Sequence, residues 1–325
     1  MSFDFGAVVA PFRMQPGLRR LAAGTAQLTP LRPGDAAWRE KLAVLRRHAD
    51  QALLTMPGFD DRPALRALCE HAAREHPQAF RWDGTRAHAL HLGWQVDGDA
   101  ASPPDAPDAG IAAAGAPASP DAATGACLRA LPARWRLAGL LSLAFHEDFA
   151  ILDATSGRVP WLAVCLPSHW APEEKVGRHF SEIHAPVADN DLLIAASSHL
   201  MRLVTSGDHW ERFVWTIAPR GSLDAHPRRL DPASGWPGGA SMADVAARAW
   251  FRTERQTFVP VPAARQSVFT IHVATAPLAQ AVATRERAAQ VHAAVASMSS
   301  AVLAYRGLAQ VQPQLLEWLS ARAAT

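Results

Sequence analysis

Apolar side chains recur at three- and four-residue intervals over Ala36–Arg47 (AAWREKLAVLRR) and over Arg62–Glu75 (RPALRALCEHAARE), where a proline stands in the first turn. Both stretches predict helices, and the N-terminal part, residues 1–95, reads as mainly helical. From Val96 to Ala126 the chain becomes a run of Ala, Pro, Asp and Gly with scarcely a large apolar side chain. Such a composition buries too little to offset its ordering entropy, so 96–126 reads as a mobile surface insertion. Short runs rich in β-branched and aromatic residues follow: Leu140–Leu152, Trp161–Leu166, Arg212–Ile217 and Ser267–Thr275 predict strands. Helices are expected from about Pro172 and over Ser241–Trp250, then over Leu278–Leu303 and Gln312–Arg322. The pattern is that of an α+β protein, an antiparallel sheet flanked by helices, with a core over 127–277 and C-terminal helices over 278–325. No long internal repeat points to a solenoid or propeller.

Composition narrows the partners more than the fold. With 325 residues and 49% hydrophobic content the chain can bury a sizeable core. Its 32 basic and 30 acidic residues are interspersed and leave a formal charge of +2, so neither a nucleic-acid nor a polybasic membrane footprint stands out. Cys69, Cys127 and Cys165 are scattered and lack C-x-x-C spacing, which fits a reducing compartment. The first residues lack the basic and then apolar pattern of a secretory signal, and no apolar run is long enough for a bilayer span. A cytoplasmic location is expected.

The common nucleotide, hydrolase and zincin motifs are absent; His146-Glu147 is followed by Ala150 where a zincin needs His. C-x-x-C-H is absent too, so any haem is held without thioether bonds. Histidines are left as candidates. From Pro172 the segment PEEKVGRHFSEIHAPV predicts a helix with proline and two carboxylates in its first turn. Val176, Phe180, Ile183 and His184 then share one stripe, so His184 points inward. Pro186 places it in the last turn, where a free carbonyl can accept Nδ1–H and leave Nε2 as a neutral ligand. A core histidine bonded to a loop is the other reading of the same spacing. His179 falls roughly 140° round the helix. His88 and His91, near Trp82, Gly93 and Trp94, sit in a strand or loop and read as structural.

Taken together, several segments resemble the haem-dependent oxidative N-demethylase alpha-subunit family. They are Phe12–Leu18 (FRMQPGL), Phe145–Phe149 (FHEDF), Cys165–Trp170 (CLPSHW), Pro172–Arg178, Ile183–Val187 (IHAPV), Trp210–Arg212 (WER), Glu254–Thr257 (ERQT), Phe269–His272 (FTIH) and Tyr305–Gly307 (YRG). Order and spacing agree over nearly the whole chain. The resemblance implies a PAS-like sheet-and-helix core that binds haem b through a histidine, here His184, and oxidises a small secondary N-methyl amine with O2. Electrons come from separate flavin and iron–sulfur reductase components, because this chain carries neither motif.

The site that follows from the resemblance has His184 on the iron and Arg255, Gln256, Arg178 and Lys175 at the haem propionates, which need cations and donors. An ion pair of Arg255 with Glu254 or Glu211 is its alternative role, and solvated surface positions are the alternatives for Lys175 and Arg178. A protonated amine needs a carboxylate, for which Glu147, Asp148 and Glu211 are the candidates. Trp161, Trp170, Trp215 and Phe269 are either pocket walls or core. Two departures bear on substrate: His146 stands where the family tends to show Gln, and Val214 where it often shows Asn. His146 and His272 are also candidate second axial ligands, an arrangement suited to electron transfer or sensing. A PAS-type haem sensor or carrier without turnover is therefore the alternative to an enzyme.

Overall fold

The computed structural model describes residues 3–104, 120–239 and 241–324. Among these, the strands are β1 (Arg19–Arg20), β2 (Leu53–Thr55), β3 (Phe80–Trp82), β4 (Arg86–Ala89), β5 (Trp94–Asp97), β6 (Ala100–Ser102), β7 (Asp148–Asp153), β8 (Arg158–Ala163), β9 (Trp210–Ala218), β10 (Trp250–Val261) and β11 (Gln266–Pro277). They form a seven-stranded antiparallel sheet in the order β1-β9-β10-β11-β7-β8-β2 and a four-stranded meander β3-β4-β5-β6. The α+β class expected from sequence is the class observed.

Register divides the main sheet into two faces, because directly opposed residues share a face and neighbours along a strand alternate. Pairing aligns Arg212 with Gln256 and Ile271, Trp210 with Phe258 and Phe269, and Phe269 with Ala150 and Leu162. These define face A. Their sequence neighbours Glu211, Phe213, Thr253, Arg255, Thr257, Thr270 and His272 define face B.

Face B is covered by the predicted N-terminal helices, now seen at Ala36–Arg47 and Arg62–Glu75. Their stripes Trp38, Leu42, Leu45 and Leu65, Leu68, Ala72 join Phe149, Ile151, Trp161 and Ala163 in one core. Toward β9 and β10 the same face receives the helices Arg285–Ala296 and Gln312–Ala324, which pack on Trp215, Ile217 and Phe251. Face A is covered by the connection between β8 and β9, which includes helices Phe180–His184 and Ser197–Val204. Met201 and Val204 pack there with Ala150, Leu152, Leu162, Val164 and Phe258.

Three expectations need correction. Leu140–Leu152 is not one strand: Arg136–Ala144 is a helix and only Asp148–Asp153 is extended. Every residue from Ala138 to Ala144 is buried, so the run carried no periodicity by which to tell helix from strand. Second, β10 was unmarked because Arg252, Glu254 and Arg255 read as polar, although all three are buried by partners within the fold. Third, the mainly helical N-terminal part also contains β3 to β5. Of the segment 96–126, residues 105–119 lie outside the described residues. Its flanks form β6 and a helix at Ala122–Ala130, pinned where the Trp94 indole donates to the Asp121 carbonyl at 2.8 Å. Gly125 is required at that contact, since a Cβ there would fall 1.8 Å from the Trp94 ring. No helix among the described residues is long and apolar enough to cross a membrane.

Candidate functional site

The segment Pro172–His184 folds in two pieces rather than as the single helix its spacing predicts. Pro172–Glu174 is a short 3-10 turn, and Gly177 at φ +75° ends the approach to a helix. Residues 177–179 then run beside β8, with Gly177 N–H donating to the Val159 carbonyl and Val159 N–H to the Arg178 carbonyl. Only Phe180–His184 is helical, capped by the His179 side chain and Glu182 in a reciprocal capping box. The inward stripe survives the break, for Val176, Phe180 and Ile183 all pack on the apolar cluster of face A.

His184 is half-buried on this short helix, with its ring 4.2 Å from that of Phe180. Its Nδ1 lies 2.8 Å from the Phe180 carbonyl oxygen, which only accepts, so Nδ1 carries the proton. Nε2 is then a lone pair, and it has no hydrogen-bond partner among the described residues. Burial lowers the His184 pKa; the Phe180 bond opposes this, and the positive charges of Arg212 and Lys175 add to the lowering. The imidazole is thereby held neutral, oriented and unclaimed, which is the state a metal requires of it.

Around it face A supplies cations and the Glu254 carboxylate. Lys175 Nζ donates to the Ile183 carbonyl at 3.2 Å, and burial lowers its pKa. Arg212 is similarly lowered by burial, with Glu254 opposing, and its buried Nε finds no partner. Thr216 Oγ1, four residues along β9 on the same face, is a second orphaned buried atom. Glu254 accepts from Gln256 Nε2 at 2.6 Å through Oε2, leaving Oε1 unclaimed among the described residues. Tyr305 is an exposed residue whose pKa is raised first by partial burial of the phenol, with the Arg306 charge opposing and the Glu254 charge adding. Buried polar atoms without partners are uncommon in native folds and point to a missing polar ligand. A free imidazole lone pair, the orphaned Arg212 Nε and an apolar wall that includes Phe258, Phe269 and Met201 are a donor set that fits haem.

The other candidates are placed elsewhere. Arg255 lies on face B, where Nε donates to Glu211 Oε2 at 3.0 Å and Nη1 to the Ala26 carbonyl. Glu211 is shared with Arg19, so its carboxylate braces strands. Glu147 accepts from His272 Nδ1 and Thr29 N–H, each at 2.8 Å, also on the face B side. Asp148 is buried against Lys41 at 3.1 Å and accepts from Leu166 N–H. Arg178 is exposed. Of the residues expected around the cofactor, the structure thus brings together His184, Lys175 and Gln256, and separates Arg255 from them by the thickness of the sheet.

His146 and His272 stack on each other at 3.9 Å, and His146 Nε2 donates to the Val273 carbonyl. His272 is on face B, so it does not share an iron with His184. Val214 projects from face A between Arg212 and Thr216, beside Glu254 in register. Trp161 and Trp215 belong to face B, and both are buried in core. Trp170 and Phe269 stand against the face A cluster. Sequence reasoning missed Arg212, Glu254 and Tyr305, although strand parity within WER and ERQT would have put Arg212, Glu254 and Gln256 together and Glu211 with Arg255.

Comparison with curated proteins finds no match. The sequence model of one family, however, matches residues 36–316, and the chain belongs to that family, the haem-dependent oxidative N-demethylase, alpha subunit-like proteins.

Proposed function

We propose that this chain is the haem-binding, oxygen-activating subunit of an oxidative N-demethylase-like system, with His184 Nε2 as the axial ligand. The observation that carries the reading is the state of His184: Nδ1–H is spent on Phe180, Nε2 has no partner among the described residues, and Arg212, whose buried Nε is orphaned, lies near enough for its charge to lower the His184 pKa. The antiparallel run β9-β10-β11-β7-β8, with helices between β8 and β9 laid over one face, supports a PAS-like core. When bound there, haem b supplies the iron centre at which O2 is reduced.

The protein's own groups do the rest. Arg212 and Lys175 offer donors to the haem propionates, in place of Arg255. Gln256 holds Glu254 by one oxygen, and the other is free to receive an N–H of a protonated secondary amine. Without such a partner an ammonium in apolar surroundings is costly to desolvate. Val214, where the family often shows Asn, makes the wall beside Glu254 more apolar and favours a bulkier N-substituent than methyl. The balanced reaction takes an N-methyl amine, O2, two electrons and two protons to the demethylated amine, formaldehyde and water. The electrons come from flavin and iron–sulfur components on separate subunits, in keeping with a family named for an alpha subunit.

The test is an absorption spectrum. Haemin added to the wild-type chain is expected to give a histidine-ligated Soret band, and the His184→Ala variant to lose it, with formaldehyde release from methylated amines abolished. An unchanged band and unchanged haem affinity in the variant would remove His184 from the iron. A good Soret band without formaldehyde from any amine, given NADPH and a competent reductase, would identify a sensor or carrier instead.

A further inference from the structure

Face B carries a cavity of its own, of about 300 Å3, open on one side. Its walls are aromatic: Phe213 and Phe251 project from β9 and β10, and Phe3 and Phe5 close over them from the N-terminal segment. Phe3 meets Phe5, Phe213 and Phe251 edge-on at 5.4 to 5.8 Å, while Phe5 stacks on Phe251 at 5.5 Å. The segment is pinned there, since Asp4 pairs with Arg19 at 2.6 Å and Gln290 Nε2 donates to the carbonyls of Phe5 and Val8.

The polar lining is one-sided. It contains His272, Arg255 and Arg287 and no carboxylate. Arg255 is engaged by Glu211, which leaves two groups to meet a ligand. Arg287 is exposed, lies 4.5 Å over the Phe5 ring and makes no ion pair among the described residues. His272 is fixed from behind, with Nδ1 on the buried Glu147 carboxylate, itself secured by Thr29 N–H. Nε2 of His272 has no partner among the described residues. Glu147 accepts from Nδ1–H, and with a proton on both ring nitrogens Nε2–H can donate to an anion entering the cavity. Nothing proposed for His184 uses these groups, and the sheet separates the two sites.

We infer that this cavity is a binding site for a small aromatic carboxylate, its ring between the phenylalanines and its carboxylate between His272 and Arg287. The volume suits one or two fused rings, at the lower end of small-ligand sites. Four aromatic walls recognise a flat π-system, and the Arg287 guanidinium, with no acid in the lining, selects a negative charge over a neutral or positive one.

Calorimetric titration of the full chain with benzoate, 2-naphthoate, benzamide and benzylamine tests the inference. The carboxylates are expected to bind saturably with Kd of about 1 mM or tighter, and benzamide and benzylamine at least about tenfold more weakly. Arg287→Ala, on an exposed side chain that leaves the core untouched, is expected to weaken 2-naphthoate about tenfold. Ala274→Trp, which fills the cavity, should abolish binding. Equal affinity for benzoate and benzamide would overturn the assignment of an anion. Binding unaffected by Arg287→Ala, or no carboxylate bound at about 20 mM, would overturn the site. Neither substitution lies near His184, so the Soret band reports separately on the haem.

Discussion

His184 is oriented by its own helix: its Nδ1 proton goes to the carbonyl of Phe180, 2.8 Å away and four residues earlier in the chain. The short helix Phe180–His184 thus orients the imidazole without a separate carboxylate or loop. Burial, helped by Arg212 and Lys175, lowers the pKa of this histidine below its ordinary value of 6.5. A lowered pKa favours the neutral form, so protons do not compete for Nε2 near neutrality. The Soret band of the haem-loaded protein is therefore expected to hold steady from about pH 8 to 6.5 and to collapse only below the range of free imidazole. Optical titration checks this, and a midpoint above 6.5 would contradict it.

Glu254 and Arg212 share face A but are assigned different duties. Glu254→Gln keeps the shape of the side chain and removes the charge, so haem binding should survive while turnover of a cationic amine falls. Loss of one charge-assisted bond in a desolvated site is worth about 2–4 kcal/mol, or roughly thirtyfold to a thousandfold in kcat/KM. Arg212→Ala should do the reverse, speeding haem loss with a smaller effect on KM for the amine. Formaldehyde release against amine concentration, measured beside haem transfer to apomyoglobin, separates them. If both variants lost haem equally, Glu254 would belong to the propionate end.

The sequence made some of this plain and hid the rest for identifiable reasons. Helices Ala36–Arg47 and Arg62–Glu75 were legible to the residue because one face of each is apolar and the other is not. His184 was legible as an inward histidine with a carbonyl partner, although the helix thought to carry it began eight residues too early. Gly177 and the pairing of Arg178 with β8 broke that helix, and a pairing between segments leaves no local trace. The carboxylates show a different limit. Glu147, Asp148 and Glu211 have the right chemistry, but each is consumed by a residue distant in sequence, namely His272, Lys41 and Arg255. Glu254 was overlooked because β10 was not recognised as a strand, and without a strand there is no parity to sort Glu254 from Arg255.

Acid sensitivity should trace to His146, which stacks on His272. Burial, together with the His272 charge, pushes the His146 pKa down to about 4. The unfolded chain takes up a proton at about 6.5 that the folded chain refuses, so stability falls as pH drops from 6.5 toward 4. The contribution is at most about 3.5 kcal/mol, since each pKa unit is worth about 1.4 kcal/mol. Below that window a second loss begins. Burial favours the protonated Glu147 carboxyl, but its bonds to His272 and Thr29 and the nearby imidazole charges outweigh burial and lower its pKa. Protonating Glu147 at still lower pH therefore destabilises the fold. His146→Gln, the residue the resemblance would place here, keeps a donor for the Val273 carbonyl and has no proton to gain. Urea unfolding at pH 7, 6 and 5 should show a flatter profile for the variant, and parallel slopes would show that His146 is not the sensing group.

Lys41 should matter more to stability than any ion pair on the surface. It is fully buried, donates to the carbonyls of Phe145 and Glu147 at 3.0 and 2.6 Å, and pairs with Asp148 at 3.1 Å. Lys41→Met matches the volume but strands the Asp148 carboxyl, whose pKa burial already raises, and orphans two carbonyls. The cost of breaking such a pair from one side is about 3–5 kcal/mol, and adding Asp148→Asn should recover part of it by removing the unpaired charge. By contrast Arg20 and Asp208, 2.8 Å apart and both solvent-exposed, should yield less than about 1 kcal/mol when Arg20→Ala is measured. Thermal and urea unfolding of the three variants orders these costs. The buried pair also fixes the turn from Phe145 to Asp148 that presents Glu147 to His272. Lys41→Met should therefore weaken carboxylate binding at the face B cavity even at temperatures where the variant is fully folded. Unaltered binding at such a temperature would show that His272 is held by the sheet alone.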